Sequence, residues 1–219
     1  RRQRLYARAR RDVERNQGKA RLSATFNFAR ANHLTSLPNP CAGILGKKAK
    51  RDRYVTDAEL RAALDFADVV LRDFFELAYR TGQRPSDVLR MRRTDVQDGA
   101  LWVQQGKTGA KVRIDWHGAR GALLTRLTAQ RIGSLYLIRD ERAQRPTRAA
   151  LQERWQKTRI PLGDDWPIRN LRAKAASDLS SAQQARGLLG HTLESTNTYR
   201  RGRIGEFAQP VNRTIAGKR

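Results

Sequence analysis

Two arginine-bearing segments show the most direct chemistry in this sequence. In Thr81-Gly82-Gln83-Arg84-Pro85-Ser86-Asp87-Val88-Leu89, Gly82 suits a left-handed helix cap and Pro85 the first turn of the next helix. A guanidinium at that junction adds its fork of donors to the free N–H groups and positive dipole end of a helix N-terminus. Such a setting binds a phosphate oxygen. In Arg169-Asn170-Leu171-Arg172-Ala173-Lys174-Ala175-Ala176, two arginines three residues apart share one helical face, so both can reach one phosphate. Arginine stays protonated in proteins, so these groups can hold negative charge but cannot remove a proton. Taken singly, each segment also describes ordinary surface arginines, and a lone histidine or tyrosine usually serves packing. The weight rests on the combination.

Bulk charge points the same way. The 219 residues hold 45 Lys and Arg against 21 Asp and Glu, for a net charge of +24. Residues 1–53 hold 15 basic against 3 acidic residues, and residues 54–219 hold 30 against 18. Half of the excess therefore sits in the first quarter of the chain. Such self-repulsion calls for an anionic partner. A polyphosphate duplex fits best, because it releases counterions on binding; membrane-surface and ribosomal proteins share the same bulk signature. Cys41 is the one cysteine, which excludes an intrachain disulfide and a cysteine-based zinc site and suits a reducing cytoplasm. His33, His117 and His191 lack close ligand spacing, so no structural metal is expected. No apolar run reaches the 18 or more residues of a membrane span. The first residues, Arg1-Arg2-Gln3-Arg4-Leu5, contain neither an initiator Met nor a signal-peptide core, so the chain is expected to begin inside a longer protein.

The elements that must position these residues are mostly helical. Helices are predicted over residues 5–16 and 20–33, the second with Leu22, Phe26 and Ala29 as a core-facing stripe and Phe28 alongside. Thr35 to Pro40 stops it. Gly46 to Arg53, with Lys47, Lys48, Lys50, Arg51 and Arg53, reads as a basic interdomain linker able to cross DNA. Thr56-Asp57-Ala58-Glu59 has the form of a capping box, followed by Leu60, Ala63, Leu64 and Ala67 on one face. Further helices are predicted from Val69 to Arg80 and from Arg84 to Met91. Alternating Ala100–Gln104 and Lys111–Asp115 form a β-hairpin around Gly106-Lys107-Thr108-Gly109. The remainder reads as mostly helical, with loops near residues 144–148 and 161–167. The expected class is mainly α (α+β), with a small antiparallel β-sheet.

Placed in order, these segments resemble the tyrosine recombinase (phage integrase) family over essentially all of residues 54–205. Thr81–Leu89 is similar to its first arginine motif. Lys107 matches the family's β-hairpin lysine, with Lys111 as a rival for the position. Arg169–Ala176 resembles its His-x-x-Arg box, and Leu188-Leu189-Gly190-His191-Thr192 followed by Thr198-Tyr199-Arg200 resembles its Leu-Gly-His and nucleophile segments. A weaker likeness to the end of the family's core-binding domain covers Leu22–Ile44.

The resemblance implies a helical catalytic domain over residues 54–205. It also implies the end of a core-binding domain over 1–46, a linker over 47–53, and a tail over 206–219 that packs on a neighbouring subunit. It implies a site-specific recombinase that cuts and rejoins double-stranded DNA through a 3′-phosphotyrosine. Tyr199 would be the nucleophile, Arg84, Arg172, Arg169 and His191 would hold the phosphate charge, and Lys107 would protonate the leaving 5′-oxygen. A lysine gives up its proton readily where neighbouring cations disfavour its charged form. Arg169 stands where the family usually has His, which leaves open what removes the Tyr199 proton. No cofactor is implied, because arginines supply the charge that Mg²⁺ supplies in two-metal nucleases. Asp140-Glu141 and Asp164-Asp165 sit in expected loops, a poor fit to a carboxylate-triad enzyme. The implied partners are DNA and further copies of the chain, as a dimer on a site and a tetramer in synapsis, with accessory DNA-bending or directionality proteins and no membrane. The implied location is the bacterial cytoplasm at the nucleoid. A type IB topoisomerase-like enzyme and a non-catalytic DNA-binding relative are the alternatives.

Overall fold

The computed structural model describes residues 2–44, 53–116, 121–129, 133–192, 195–196 and 199–200. The chain forms two units, residues 1–51 and 52–219. Among the described residues no helix is long and apolar enough to cross a membrane.

In the first unit, a single helix α1 runs from Arg2 to Ala31, where two helices were expected. Gly18 lies inside it. A glycine costs a helix interior about 1 kcal/mol relative to alanine but does not by itself end the helix. The expected core-facing stripe is not buried within this unit: Leu22 and Phe28 are exposed, while Phe26 and Ala29 are half-buried. What lies along α1 instead is the following loop, pinned by polar contacts. Asn39 Nδ2 donates to Ser23 Oγ at 2.9 Å and Asn27 Oδ1 at 2.8 Å, and its Oδ1 accepts from the Cys41 N–H.

The second unit opens with α2 (Asp57–Phe66), and its capping box is present, with Thr56 and Glu59 each accepting the other's backbone N–H. Helix α3 (Val69–Thr81) is capped by Asp68 and ends at Gly82 in the left-handed conformation, φ 61°. Helix α4 covers only Pro85–Val88, shorter than the expected Arg84–Met91. Past Val88 the backbone tightens: Arg90 N–H donates to Asp87 O and Met91 N–H to Val88 O, the closer spacing of a 3₁₀ turn. A 3₁₀ turn at Arg93–Asp95 leads into β1 (Val96–Gln97), β2 (Ala100–Gln104) and β3 (Lys111–Asp115). The three strands are antiparallel in the order β1-β2-β3, with Leu101 opposite Ile114 and Val103 opposite Val112. Strands β2 and β3 coincide with the expected hairpin; β1, only two residues long, was not foreseen.

Helices α5 (Gly121–Ala129), α6 (Arg148–Leu162), α7 (Asn170–Asp178) and α8 (Ala182–Leu189) complete the unit. Residues 133–147 are irregular, a longer break than the loop expected at 144–148. Helix α6 carries Pro161 within its last turn, where the loop was expected to start.

Burial explains why these helices hold. Leu71, Phe74, Phe75 and Leu77 on α3 are fully buried, as are Trp155 and Trp166. The Trp155 and Trp166 rings lie 4.2 Å apart, and Phe75 meets Trp155 edge-on at 5.2 Å. Trp155 Nε1 donates to Trp166 O at 2.8 Å, so the indole buries no unpaired donor. Helix α3 also packs on α7, which brings the end of one arginine segment against the other. The side chain of Lys174 on α7 is buried and pairs with Asp57 and, at 3.0 Å, with Asp178; it also donates to Tyr54 Oη. The first residues of the unit are thereby tied to the helix that carries Arg172.

Replacing Trp155 with Ala is expected to lower unfolding free energy by about 3–5 kcal/mol. A urea titration checks it: the midpoint should fall with little change in slope.

Candidate active site

The two arginine segments meet at the ends of helices. Arg84 is the N-cap residue of α4, one residue beyond the Gln83 that follows the Gly82 cap. Arg172 lies on α7 and is only 3% exposed. Its Nη1 donates to Gly82 O at 2.6 Å and its Nη2 to Leu189 O at 2.9 Å. These two carbonyls belong to the C-terminal ends of α3 and α8, where carbonyls lack helical partners and the dipole is negative. Helix ends therefore solvate this buried cation. Arg172 Nε is buried without a hydrogen-bond partner among the described residues.

Both arginines also reach His191. Arg84 Nη2 lies 2.9 Å and Arg172 Nη2 2.8 Å from the same Nε2. Guanidinium groups only donate, so Nε2 accepts and the ring hydrogen sits on Nδ1. Burial, then the charges of Arg172, Arg84 and Lys107, push the imidazole down to about 4, so it is neutral at pH 7. Burial and the neighbouring Arg84 charge likewise lower Arg172, with Tyr199 opposing. Tyr199 completes the cluster: the Arg172 guanidinium lies 5.3 Å from the centre of its ring, and the His191 ring is 5.4 Å away.

Gly190 makes this approach feasible. It caps α8 at φ 60°, and a Cβ there would come within 2.8 Å of Val112 Cγ2 and 3.1 Å of Gln105 Nε2. Only glycine lets the His191 segment lie so close to the hairpin.

Lys107 is exposed on the hairpin turn, near enough for its charge to act on His191. Lys111 is exposed at the start of β3. Arg169 is exposed at the N-cap of α7 and shares a small cavity with Pro85. The direct contacts thus join Arg84, Arg172, His191 and Tyr199, while Lys107 acts through its charge. Of the basic linker residues, Arg53 forms ion pairs at 2.9 Å with both Glu59 and Asp165. Lys47, Lys48, Lys50 and Arg51 lie outside the described residues, as does the tail after Tyr199 from Gly202 to Arg219.

Three polar residues near the cluster were not singled out from sequence: Gln83, Asp87 and Gln105, all buried. Asp87 Oδ1 pairs with Arg90 and accepts the Gly106 N–H at 3.1 Å, while its Oδ2 faces Arg84 at 3.7 Å. The inward phase of β2, Leu101 and Val103, continues to Gln105, one residue past the strand. A glutamine on that phase is the signal that could have marked the network.

The chemistry available is that of an anion cradle beside a phenol. Two fixed cations converge on one point, a neutral imidazole occupies it, and an exposed lysine stands nearby on a turn. The phage integrase family profile matches residues 53–204. The chain belongs to the phage integrase family. It is 36% identical to an integrase of Enterobacteria phage 434 over 96 residues, 42% of this chain and 27% of that protein. It is 35% identical to the integrase of Escherichia phage lambda over the same shares of each. The matched stretch therefore spans about a quarter of these integrases' length.

Among solved structures, a lambda integrase dimer bound to a COC′ core site aligns with TM-score 0.77 and 24% identity, over 95% of this chain and 65% of that one. The lambda integrase catalytic core aligns with TM-score 0.57 and 29% identity, over 64% of this chain and 96% of that one. The mainly helical fold with its small sheet is that of these proteins.

The depressed imidazole yields a pH test. Its folded value lies below the ordinary 6.5, so its contribution to stability is complete above about 6.5 and is lost as pH falls toward 4. In an NMR titration of the free protein, the His191 ring signal should move near pH 4, and in Arg84→Gln the midpoint should rise. A midpoint near 6.5 in the unsubstituted protein would contradict the cradle's electrostatics.

Proposed function

We propose that this chain carries the cutting and rejoining centre of a site-specific tyrosine recombinase acting on double-stranded DNA. The observation that carries the reading is the convergence of Arg84 and Arg172 on one nitrogen of His191, with Tyr199 against the same guanidinium. A phosphate entering that point replaces a shared acceptor with a charged one, and charge-assisted bonds to guanidinium are the stronger kind.

Tyr199 Oη forms a bond to phosphorus and the P–O5′ bond breaks, leaving a phosphotyrosine at the DNA 3′ end. The released 5′-oxygen takes its proton from Lys107 Nζ. Arg169, standing beside Pro85, supplies a further positive donor. The Tyr199 proton is lost to water, and His191, which stays neutral among the cations, donates its ring N–H to a phosphate oxygen once the phosphate takes over both arginines. The bond energy is retained in the phosphotyrosine, so rejoining needs no ATP.

Residues 47–53 act as a basic linker along DNA between a core-binding portion (1–46) and the catalytic domain (54–205). The tail over 206–219 packs on a neighbouring copy, in a dimer on a site and a tetramer in synapsis. The reaction runs at the nucleoid, in the bacterial cytoplasm.

The test is covalent trapping on a pool of nicked random-sequence duplexes, without Mg²⁺ or ATP, with the adduct mapped by mass spectrometry. An SDS-resistant adduct on Tyr199 is expected, absent in Tyr199→Phe and formed about 100- to 1000-fold more slowly in Arg84→Ala. Salt-sensitive binding with no adduct would indicate a non-catalytic DNA-binding relative. Relaxation of any supercoiled plasmid would indicate a type IB topoisomerase-like enzyme.

A further inference from the structure

The side chain of Gln105 is fully buried at the point where the hairpin, α4 and α8 meet. Its four polar contacts leave no choice about its orientation. Oε1 accepts from Arg84 Nη1 at 2.7 Å and from Thr108 Oγ1 at 2.9 Å. Nε2 donates to Leu189 O at 2.6 Å and to Gln83 Oε1 at 2.8 Å. Arginine can only donate and a carbonyl can only accept, so a flipped amide would break two of these bonds. Gln83 continues the network by donating to Leu188 O at 2.8 Å. The Gln105 backbone also closes the turn that carries Lys107: its N–H donates to Ala110 O at 2.9 Å, and its carbonyl accepts the Gly109 N–H at 2.8 Å.

One amide therefore touches three of the segments that bring groups to the phosphate. It holds Arg84 directly, it holds the carbonyl two residues before His191, and through Thr108 it holds the residue next to Lys107. Lys107 is itself exposed on its turn, and the Thr108 tether ties this turn to the cradle on one side of Lys107 while the Gly106 N–H bond to Asp87 Oδ1 holds the other.

We propose that Gln105 is a positioning residue for proton delivery, fixing the Lys107 turn in register with the phosphate held by Arg84. The inference rests on the proposed function, in which Lys107 protonates the leaving oxygen. Thr108 transmits the position, and Gln83 and Leu189 O keep the Gln105 amide from rotating.

The test compares two duplexes of one sequence recovered by the trapping experiment, differing only in sulfur for the 5′-bridging oxygen at the cut. With oxygen, the P–O5′ bond breaks and the oxygen takes a proton from Lys107. With sulfur, the P–S bond breaks and a thiolate leaves without needing a proton, because thiols are far more acidic than alcohols. Thr108→Val removes only the tether, on an exposed turn, and Gln105→Leu removes all four contacts at similar volume.

On the oxygen duplex, Thr108→Val is expected to form adduct about tenfold more slowly, the scale of one lost hydrogen bond. Gln105→Leu is expected to be slower by about 100-fold. On the sulfur duplex Thr108→Val should match the unsubstituted protein, and Gln105→Leu should recover about tenfold, its remaining deficit reflecting Arg84. Near-ultraviolet circular dichroism establishes whether Gln105→Leu is folded; if it is not, Thr108→Val decides alone. Equal slowing of Thr108→Val on both duplexes, or no slowing on either, overturns the positioning role while the unsubstituted protein still forms its adduct. No adduct by the unsubstituted protein on either duplex overturns the proposed function, and the positioning role with it.

Discussion

Two permanently charged guanidinium groups within hydrogen-bond distance of one imidazole nitrogen repel each other, and the second unit is organised around containing that repulsion. At about 5 Å and an effective dielectric near 20, two unit charges interact by about 3 kcal/mol. The fold offsets this largely with dipoles, joined by the buried carboxylate of Asp87. Arg172 receives carbonyls from the C-terminal ends of α3 and α8, and Arg84 receives the Gln105 amide oxygen, with Asp87 3.7 Å away. Net positive charge is left uncompensated at the cradle, which is the condition for binding a phosphate rather than neutralising itself.

The elements follow from that requirement. Helix α3 must end at Gly82 to expose its last carbonyl to Arg172, and α8 must end at Gly190 to turn His191 toward the same point. The aromatic packing of Phe75, Trp155 and Trp166 fixes α3 from behind. The hairpin serves twice, presenting Lys107 on its turn and Gln105 where that turn closes. The depressed imidazole of His191 follows from burial first and from the same crowding of cations second, so it stays neutral and accepts.

Much of this was legible in the sequence because it is local. The Thr56–Glu59 box, the Gly82 cap and the two long hairpin strands each depend on residues a few positions apart, and each formed where its pattern lay. The continuous α1 was misread because Gly18 is a weak helix residue but not a stop. Its Leu22, Phe26 and Ala29 stripe is at most half-buried, for periodicity marks a face without showing what covers it. The buried glutamines were missed for a different reason. Gln83 and Gln105 are polar, and what buries them is contact with residues 84 to 105 positions away, Leu188 and Leu189. Long-range polar pairing has no signature in spacing. The partial signal was the inward phase of β2, which Gln105 continues one residue past the strand. Arg169, read from sequence at the family's His position, is exposed at the N-cap of α7.

The account's central claim is that Arg84, Arg172, His191 and Tyr199 form one pocket for one phosphoryl group. The most direct measurement is a crystal structure of the chain with nicked duplex and orthovanadate, which mimics phosphorus caught between the attacking and leaving oxygens. The account predicts vanadium bonded to Tyr199 Oη, its equatorial oxygens held by Arg84, Arg172 and His191, with Lys107 at the 5′-oxygen. Vanadate bound away from Tyr199, or a cradle in which the two arginines contact different phosphates, would contradict it.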